Sequence, residues 1–280
     1  MFFFNFYLAK IVNNLYLLNI SFLMQSEPSN YISVLIITLN EDVHMYELLS
    51  DLDFADEVIV VDSFSKDRTK AISESFKNVR FIENKFENYT TQRNFAIDQA
   101  RNNWILFIDA DERLTPALKA EILETVRKNE EVSAYLFYRK FFFKKKILRF
   151  SGWQTDRIFR LFRKDKCRYT HRRLVHEKLD VDGKIGFFKN RLIHYSYSDY
   201  ESYKGKMIAY GKLKAMEKYQ GKFKPTIFHI YGHAAYSFLH RYVIRLGFLD
   251  GRKGIIICYL NALSVSARYK ELERLYKENK

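Results

Sequence analysis

Apolar runs recur through the first 110 residues with polar, helix-spaced segments between them. Ile32–Leu39 (ISVLIITL), Glu57–Asp62 (EVIVVD), the short Val79–Glu83 and Trp104–Asp109 (WILFID) read as strands, and the β-branched, continuous runs among them suit strands covered on both faces. Helical spacing occupies His44–Leu52, Asp67–Lys77 opened by Ser65, and Thr91–Arg101. Strands that alternate with helices of this length predict βαβ units, a parallel sheet and right-handed crossovers. Ligands bind such sheets at the carboxyl ends of the strands. Three of the four runs lead there into polar residues: Asn40–Glu41, Asp62–Ser63 and Asp109–Ala110–Asp111.

Past Asp111 the pattern loosens. Thr115 as N-cap and Pro116 at the first helical position start a helix that runs to about Lys128. Ala134–Phe143 reads as a strand, Lys144–Lys146 as a solvated turn, and Arg157–Arg163 (RIFRLFR) as a strand with one wet, basic face. Asp180 and Asp182 precede Gly183 in what reads as a hairpin turn. Tyr200–Tyr219 is helical. Pro225–His240 and Gly254–Ala267 are uncharged runs of 16 and 14 residues, bracketed by Lys and Arg and interleaved with aromatic residues. Both are short for a spanning helix. They suit either helices lying in a bilayer interface or helices packed on the first domain. Met1–Ser26 carries one charge, Lys10, and lacks both a basic n-region and a small-residue cleavage site. It reads either as a loosely ordered extension, not native if Met24 is the start, or as a membrane-touching helix.

Composition narrows the class. The 280 residues are 48% apolar and 17% aromatic with only 10 Gly and 3 Pro, which excludes disordered and low-complexity chains. Cys167 and Cys258 fit neither a metal site nor a disulfide framework. The net charge of +14 is unevenly spread: residues 1–138 carry 13 Lys/Arg and 21 Asp/Glu, and residues 139–280 carry 34 and 12. A half at +22 points to nucleic acid or an anionic membrane as partner.

Asp-x-Asp occurs at Asp51/Asp53, Asp109/Asp111 and Asp180/Asp182, and only the second caps a buried apolar strand at the ligand-binding edge. Two carboxylates there can hold Mg²⁺ or Mn²⁺ and leave coordination sites for diphosphate oxygens. With ISVLIITLNE, ADEVIVVDSFSKDRT, QRNFA, WILFIDADERL and GWQTDRIFRLFR in this order, the chain resembles family 2 glycosyltransferases of the GT-A fold, in the branch that includes lipopolysaccharide-core β-glucosyltransferases. The resemblance covers about residues 31–197, with an echo at Leu246–Lys253 (LGFLDGRK).

It implies an α/β, GT-A (Rossmann-like) mixed, mainly parallel sheet flanked by helices. The catalytic domain would be 31–198, with a nucleotide-sugar part at 31–114 and an acceptor part at 115–198. An N-terminal extension (1–30) would precede it, and a basic, helical C-terminal region (199–280) would follow. The implied donor is a nucleotide-sugar, UDP-linked by preference, with glucose the sugar the branch suggests. Asn40, Glu41, Asp62, Arg93 and Asp109 would bind it, and Asp109, Asp111 and His176 would hold the metal. Phe64 and Lys66 stand where the family commonly has Gly and Thr. Inverting transfer needs a base for the acceptor hydroxyl. Asp156, in Gln154–Thr155–Asp156, is the first choice and Glu177 the second. The implied acceptor is a lipid-linked or lipopolysaccharide-core glycan, met by an enzyme peripheral on the inner face of the cytoplasmic membrane. A nucleotidyltransferase on a similar sheet and a nucleic-acid-binding protein are the competing functions. The first usually carries a Gly-rich, basic loop after β-strand one, and no zinc-finger or RNP-type motif supports the second.

Overall fold

A computed structural model describes residues 31–143, 146–170, 178–197 and 200–278. The N-terminal extension expected at 1–30 lies outside the described residues.

The apolar runs form β1 (Ile32–Thr38), β2 (Glu57–Asp62), β3 (Val79–Glu83) and β4 (Trp104–Phe107), all parallel. Alternate residues of each strand feed two cores. On one side Val34, Ile36 and Val58 meet α1 (Asp42–Ser50) and α4 (Pro116–Lys128), with Ile72 of α2 (Thr69–Glu74) packed alongside. On the other, Leu35, Ile59 and Phe107 meet α3 (Tyr89–Gln99). Local side chains set the helix starts. The Asn88 carboxamide accepts the Thr91 amide (3.0 Å), so α3 begins two residues before the apolar spacing suggests. Thr115 accepts the Leu118 amide (3.2 Å), as expected. Asp67 accepts the amides of Thr69 and Asp42 (2.9 and 3.0 Å), which keeps 67–68 in the loop and shortens α2 relative to expectation.

The remaining strands are β5 (Glu112–Arg113), β6 (Ala134–Phe143), β7 (Lys146–Leu148), β8 (Arg157–Arg163), β9 (Cys167–Thr170), β10 (Lys178–Val181), β11 (Ile185–Phe187) and β12 (Leu192–Tyr197). The main sheet runs β3-β2-β1-β4-β8-β6-β12-β5, with β7 and β11 pairing β6. Among the described residues only β8, β5 and β7 run antiparallel to their neighbours in it. This is the mixed, mainly parallel GT-A arrangement. Three local expectations change. Lys146 opens β7 rather than ending a turn, because its register opposite Phe143 continues the ladder. Gly183, at φ 115, turns the chain from the β9/β10 pair to β11 against β6, so Asp180 and Asp182 do not sit in a hairpin. β8 lies inside the sheet between β4 and β6, and its middle residues Arg160, Leu161 and Phe162 are fully buried instead of leaving a continuous wet face, with consequences for Arg160 below.

The strand order reverses between β1, whose chain next goes to β2, and β4, reached from β3. At such a switch the two loops leave in opposite directions and open a crevice at the carboxyl edge.

The C-terminal region comprises α5 (Tyr200–Gln220), α6 (Ile227–Leu239) and α7 (Gly251–Glu278), with a π turn (His240–Ile244) and a 3-10 turn (Gly247–Asp250) between the last two. α5 crosses α7 closely at Gly211, where an added Cβ would lie 2.5 Å from the Ser264 carbonyl oxygen. Tyr203, Ile257 and Leu260 pack with Phe141, Phe143 and Leu148, so the helices share a core with the sheet. Among the described residues no helix is long and apolar enough to cross a membrane.

Candidate active site

The crevice between β1 and β4 gathers most of the predicted residues. After β1 the chain turns through Asn40 at φ 55 into α1. The Asn40 amide donates to the Ser65 hydroxyl and its side-chain oxygen accepts the Lys66 amide, both at 2.7 Å. The loops after β1 and β2 are thereby clamped together. Asp62, at the end of β2, is buried, and its carboxylate accepts the amide (2.7 Å) and the hydroxyl of Ser65. Its direct duty is to fix this loop. Phe64, where the resemblance expects glycine, still adopts φ 62, so the left-handed loop shape is kept at the cost of a crowded Cβ.

Glu41 stands at the entrance to α1. Burial raises its carboxyl above the usual range, the negative charge of Asp111 adds to the rise, and Lys206 of α5 partly offsets it. The two strand ends therefore share one electrostatic neighbourhood.

The turn after β4 is built around an alternating chain of charges. Arg93 of α3 stacks on the rings of Phe107 (4.5 Å) and Tyr169 (5.4 Å) and donates to Asp109 Oδ1 (3.2 Å). Arg160 of β8 takes the other Asp109 oxygen and also Glu112 Oε1 (2.7 Å). Arg139 of β6 lies 3.7 Å from the same Glu112 oxygen and donates to Asp156 Oδ2 (2.6 Å). The order is thus Arg93, Asp109, Arg160, Glu112, Arg139, Asp156. Glu112 and Arg160 have no exposed side-chain surface, so each needs the other's charge to tolerate burial. Burial works against ionisation of Asp109, yet Arg160 and Arg93 outweigh it and hold the carboxyl well below its ordinary range. Glu112 also accepts the Asp109 amide (3.1 Å), which pins the turn.

Asp111 leaves this chain and meets a different partner. β12 pairs with β5, opposing His194 to Glu112, and the Tyr195 amide donates to the Asp111 carbonyl (2.8 Å). His194 Nε2 then lies 3.2 Å from Asp111 Oδ2. Burial would raise the Asp111 carboxyl, and the contact with His194 brings it below the usual range instead. Among the described residues no group of three or more His, Cys, Asp or Glu is placed to hold a metal. Asp111 and His194 form a pair of potential metal ligands, the imidazole with its Nδ1 buried and without a hydrogen-bond partner among the described residues.

Asp156 follows a 3-10 turn (Trp153–Thr155) entered through Ser151 and Gly152 at φ 62 and 98. At Gly152 an added Cβ would be strained by that φ and lie 3.1 Å from the Arg241 guanidinium. Trp153 packs on Phe141, which touches His194 in turn (ring centroids 4.0 and 4.9 Å). Of the predicted residues, Asn40, Glu41, Asp62, Arg93, Asp109 and Asp111 surround the crevice. Asp156 is connected to it through Arg139. His176 and Glu177 lie outside the described residues.

Sequence inspection missed Glu112, Arg139, Arg160 and His194. Arg160 falls at an irregularity of the β6/β8 ladder, where Tyr135 opposes Leu161 and Leu136 opposes Phe159, so the alternation along RIFRLFR does not assign its side. His194 carried no local signal, being 83 residues from its partner.

The family model for glycosyl transferase family 2 matches residues 33–182. The lipopolysaccharide core biosynthesis glycosyltransferase LpsC of Rhizobium meliloti is 26% identical over 254 residues, covering 86% of this chain and 94% of that protein. An uncharacterized glycosyltransferase of Rickettsia typhi is 30% identical over 261 residues, covering 87% of each. Among solved structures, a mannosyltransferase from Pyrobaculum calidifontis in complex with GDP-Man and Mn²⁺ aligns over 88% of each chain at 13% identity with a TM-score of 0.49.

Proposed function

The chain belongs to glycosyl transferase family 2, and from that membership we propose that it transfers a hexose, with inversion, from a UDP-linked donor to a hydroxyl of a lipopolysaccharide-core or other lipid-linked surface glycan. The observation that carries this proposal is the Asp109–Asp111 turn at the β1/β4 switch, joined by alternating charges to Asp156. The acceptor class follows the name of the Rhizobium meliloti relative.

Asp111 and His194 would hold the divalent cation. Two protein donors leave the coordination sites that diphosphate oxygens take, and an imidazole beside a carboxylate favours Mn²⁺ over Mg²⁺. Such a cation, when bound, neutralises charge on the departing diphosphate. Asp109, neutralised by Arg93 and Arg160, keeps the turn in place. Asn40, Glu41 and the Ser65 loop set by Asp62 line the nucleoside side. Asp156 takes the proton from the acceptor hydroxyl as its oxygen bonds to the anomeric carbon and the bond to the diphosphate breaks. Arg139 orients that carboxylate. The enzyme works as a peripheral protein at the inner face of the cytoplasmic membrane, where its acceptor is anchored.

Nucleotide release from a panel of UDP-, GDP- and ADP-sugars with Mn²⁺ or Mg²⁺, with proton NMR of the glycoside formed, tests this proposal. Turnover of a UDP-hexose, lost on chelation and giving the anomer opposite to the donor's, is expected. Release from none of the donors, or a product with retained configuration, would contradict it.

A further inference from the structure

The outward side of the helical region lacks what a solvated surface carries. α6 contains no Lys, Arg, Asp or Glu. Its inward side packs on α7 through Ile230, while Ile227, Phe228, Tyr231, Tyr236 and Leu239 are each more than half exposed. The turns that follow extend this apolar surface with Ile244, at 69% exposure, and Leu249, at 54%. A helix facing water normally turns a charged face outward, and single exposed apolar residues are ordinary. A run of this length on one side marks a docking surface.

Charge identifies the partner. Residues 222–270 carry eight Lys/Arg and a single acidic residue, Asp250. That one carboxylate is turned to the sheet, accepting the amides of Arg149 (3.0 Å) and Phe150 (2.9 Å). Arg241 and Arg268 line a cavity of about 540 Å³ between α6 and α7, together with His233 and His240. Among the described residues neither arginine has an acidic partner: Arg241 donates to the Ser151 carbonyl (3.0 Å), and Arg268 Nε is buried without one. Apolar side chains beside cations, in a segment with a single acidic residue, suit the boundary between acyl chains and anionic headgroups. A second copy of the chain is disfavoured, because a two-fold interface would press the same cations together.

We propose that the face formed by α6 and the two turns after it docks on an anionic phospholipid bilayer. Ile227, Phe228, Ile244 and Leu249 enter the acyl boundary, and Arg268, on the wall of the cavity between α6 and α7, meets a lipid phosphate. This deepens the proposed function and rests on it for the acceptor. The docking face is wired to the candidate base: the Ser151 amide donates to the Arg245 carbonyl (2.9 Å), and Asp250 holds 149–150, the segment that leads through Gly152 to Asp156. Docking therefore brings the acceptor side of the site to the surface from which a lipid-linked glycan arrives.

Co-sedimentation of the full chain with phosphatidylcholine vesicles, with and without phosphatidylglycerol, at low and high salt, tests the proposal. The wild-type protein should sediment with the phosphatidylglycerol vesicles and detach as salt rises. Ile244→Asp combined with Leu249→Asp should weaken that binding at least about tenfold. Both positions are exposed, so an unchanged thermal melt is expected to accompany the loss. Arg268→Gln should reduce the preference for anionic vesicles. Failure of the wild-type protein to bind anionic vesicles would overturn the proposal, as would undiminished binding by the double variant. So would a wild-type dimer that the double variant converts to monomer. Nucleotide release from the donor, measured without vesicles, separates the two claims. It should be equal in wild type and double variant, and its absence from both would strike the catalytic proposal while leaving the docking result to stand.

Discussion

Asp109 and Asp111 are two residues apart, and different neighbours give them different duties. Asp109 is the shared counter-ion of Arg93 and Arg160. Removing one member of a buried charge set leaves the rest uncompensated, so Asp109→Asn should cost roughly 3–5 kcal/mol of stability in urea unfolding. The sign of its pH dependence follows. The folded carboxyl titrates below its unfolded value of about 3.9. Its stabilisation is therefore complete above that value and lost as pH falls through the folded one, and the Asn variant should show a flatter acid limb. Asp111→Asn removes a like charge near Glu41 along with the His194 contact, so a smaller change in stability is expected, with weakened Mn²⁺-dependent UDP binding in calorimetric titration. Unaltered binding would take Asp111 out of the metal assignment. Asp62, Asp109 and Asp111 were legible because they end or follow apolar strands, whereas nothing local marked Glu112 as the buried partner of Arg160. Arg139, Arg160 and His194 were not legible, because they arrive on strands whose neighbours are fixed only by tertiary pairing.

Helix α3 shows how a local signal reaches the site. Asn88 caps it by accepting the Thr91 amide, and Arg93 sits just over one turn further on. Asn88→Ala should cost about 1 kcal/mol in urea unfolding. The first four strands and their crossovers could be read from sequence because periodicity, caps and Pro116 are local features. β8 was placed correctly but given the wrong exposure. Its arginines at every third residue look like a wet face, but the ladder skips Arg160 between Leu161 and Phe159 and that side chain is fully buried. The turn at Gly183 was also recognisable as a turn. A positive-φ glycine marks a change of direction without naming the strand that follows, and here that strand joins another sheet.

For the molecule as a whole, the acidic half supplies the crevice and the basic half supplies β8, β12 and the helices that meet it. Phe141 and Phe143 share a core with Tyr203, Ile257 and Leu260, and Lys253 donates to the Phe143 carbonyl (2.8 Å). The helices should therefore unfold with the sheet. Two buried thiols report on this: burial pushes Cys167, in the sheet core, up to about 12 and raises Cys258, in α7. Both should resist thiol reagents in the native protein and become reactive at one urea midpoint. Earlier reaction of Cys258 would show that the helices open independently.

The central claim is that the charge chain from Asp109 ends in a base that takes the acceptor proton. Asp156→Asn tests it most directly, with sugar transfer and UDP-sugar binding measured side by side. Binding close to wild type with transfer reduced at least about a hundredfold is the predicted result. Transfer near the wild-type rate would contradict the claim.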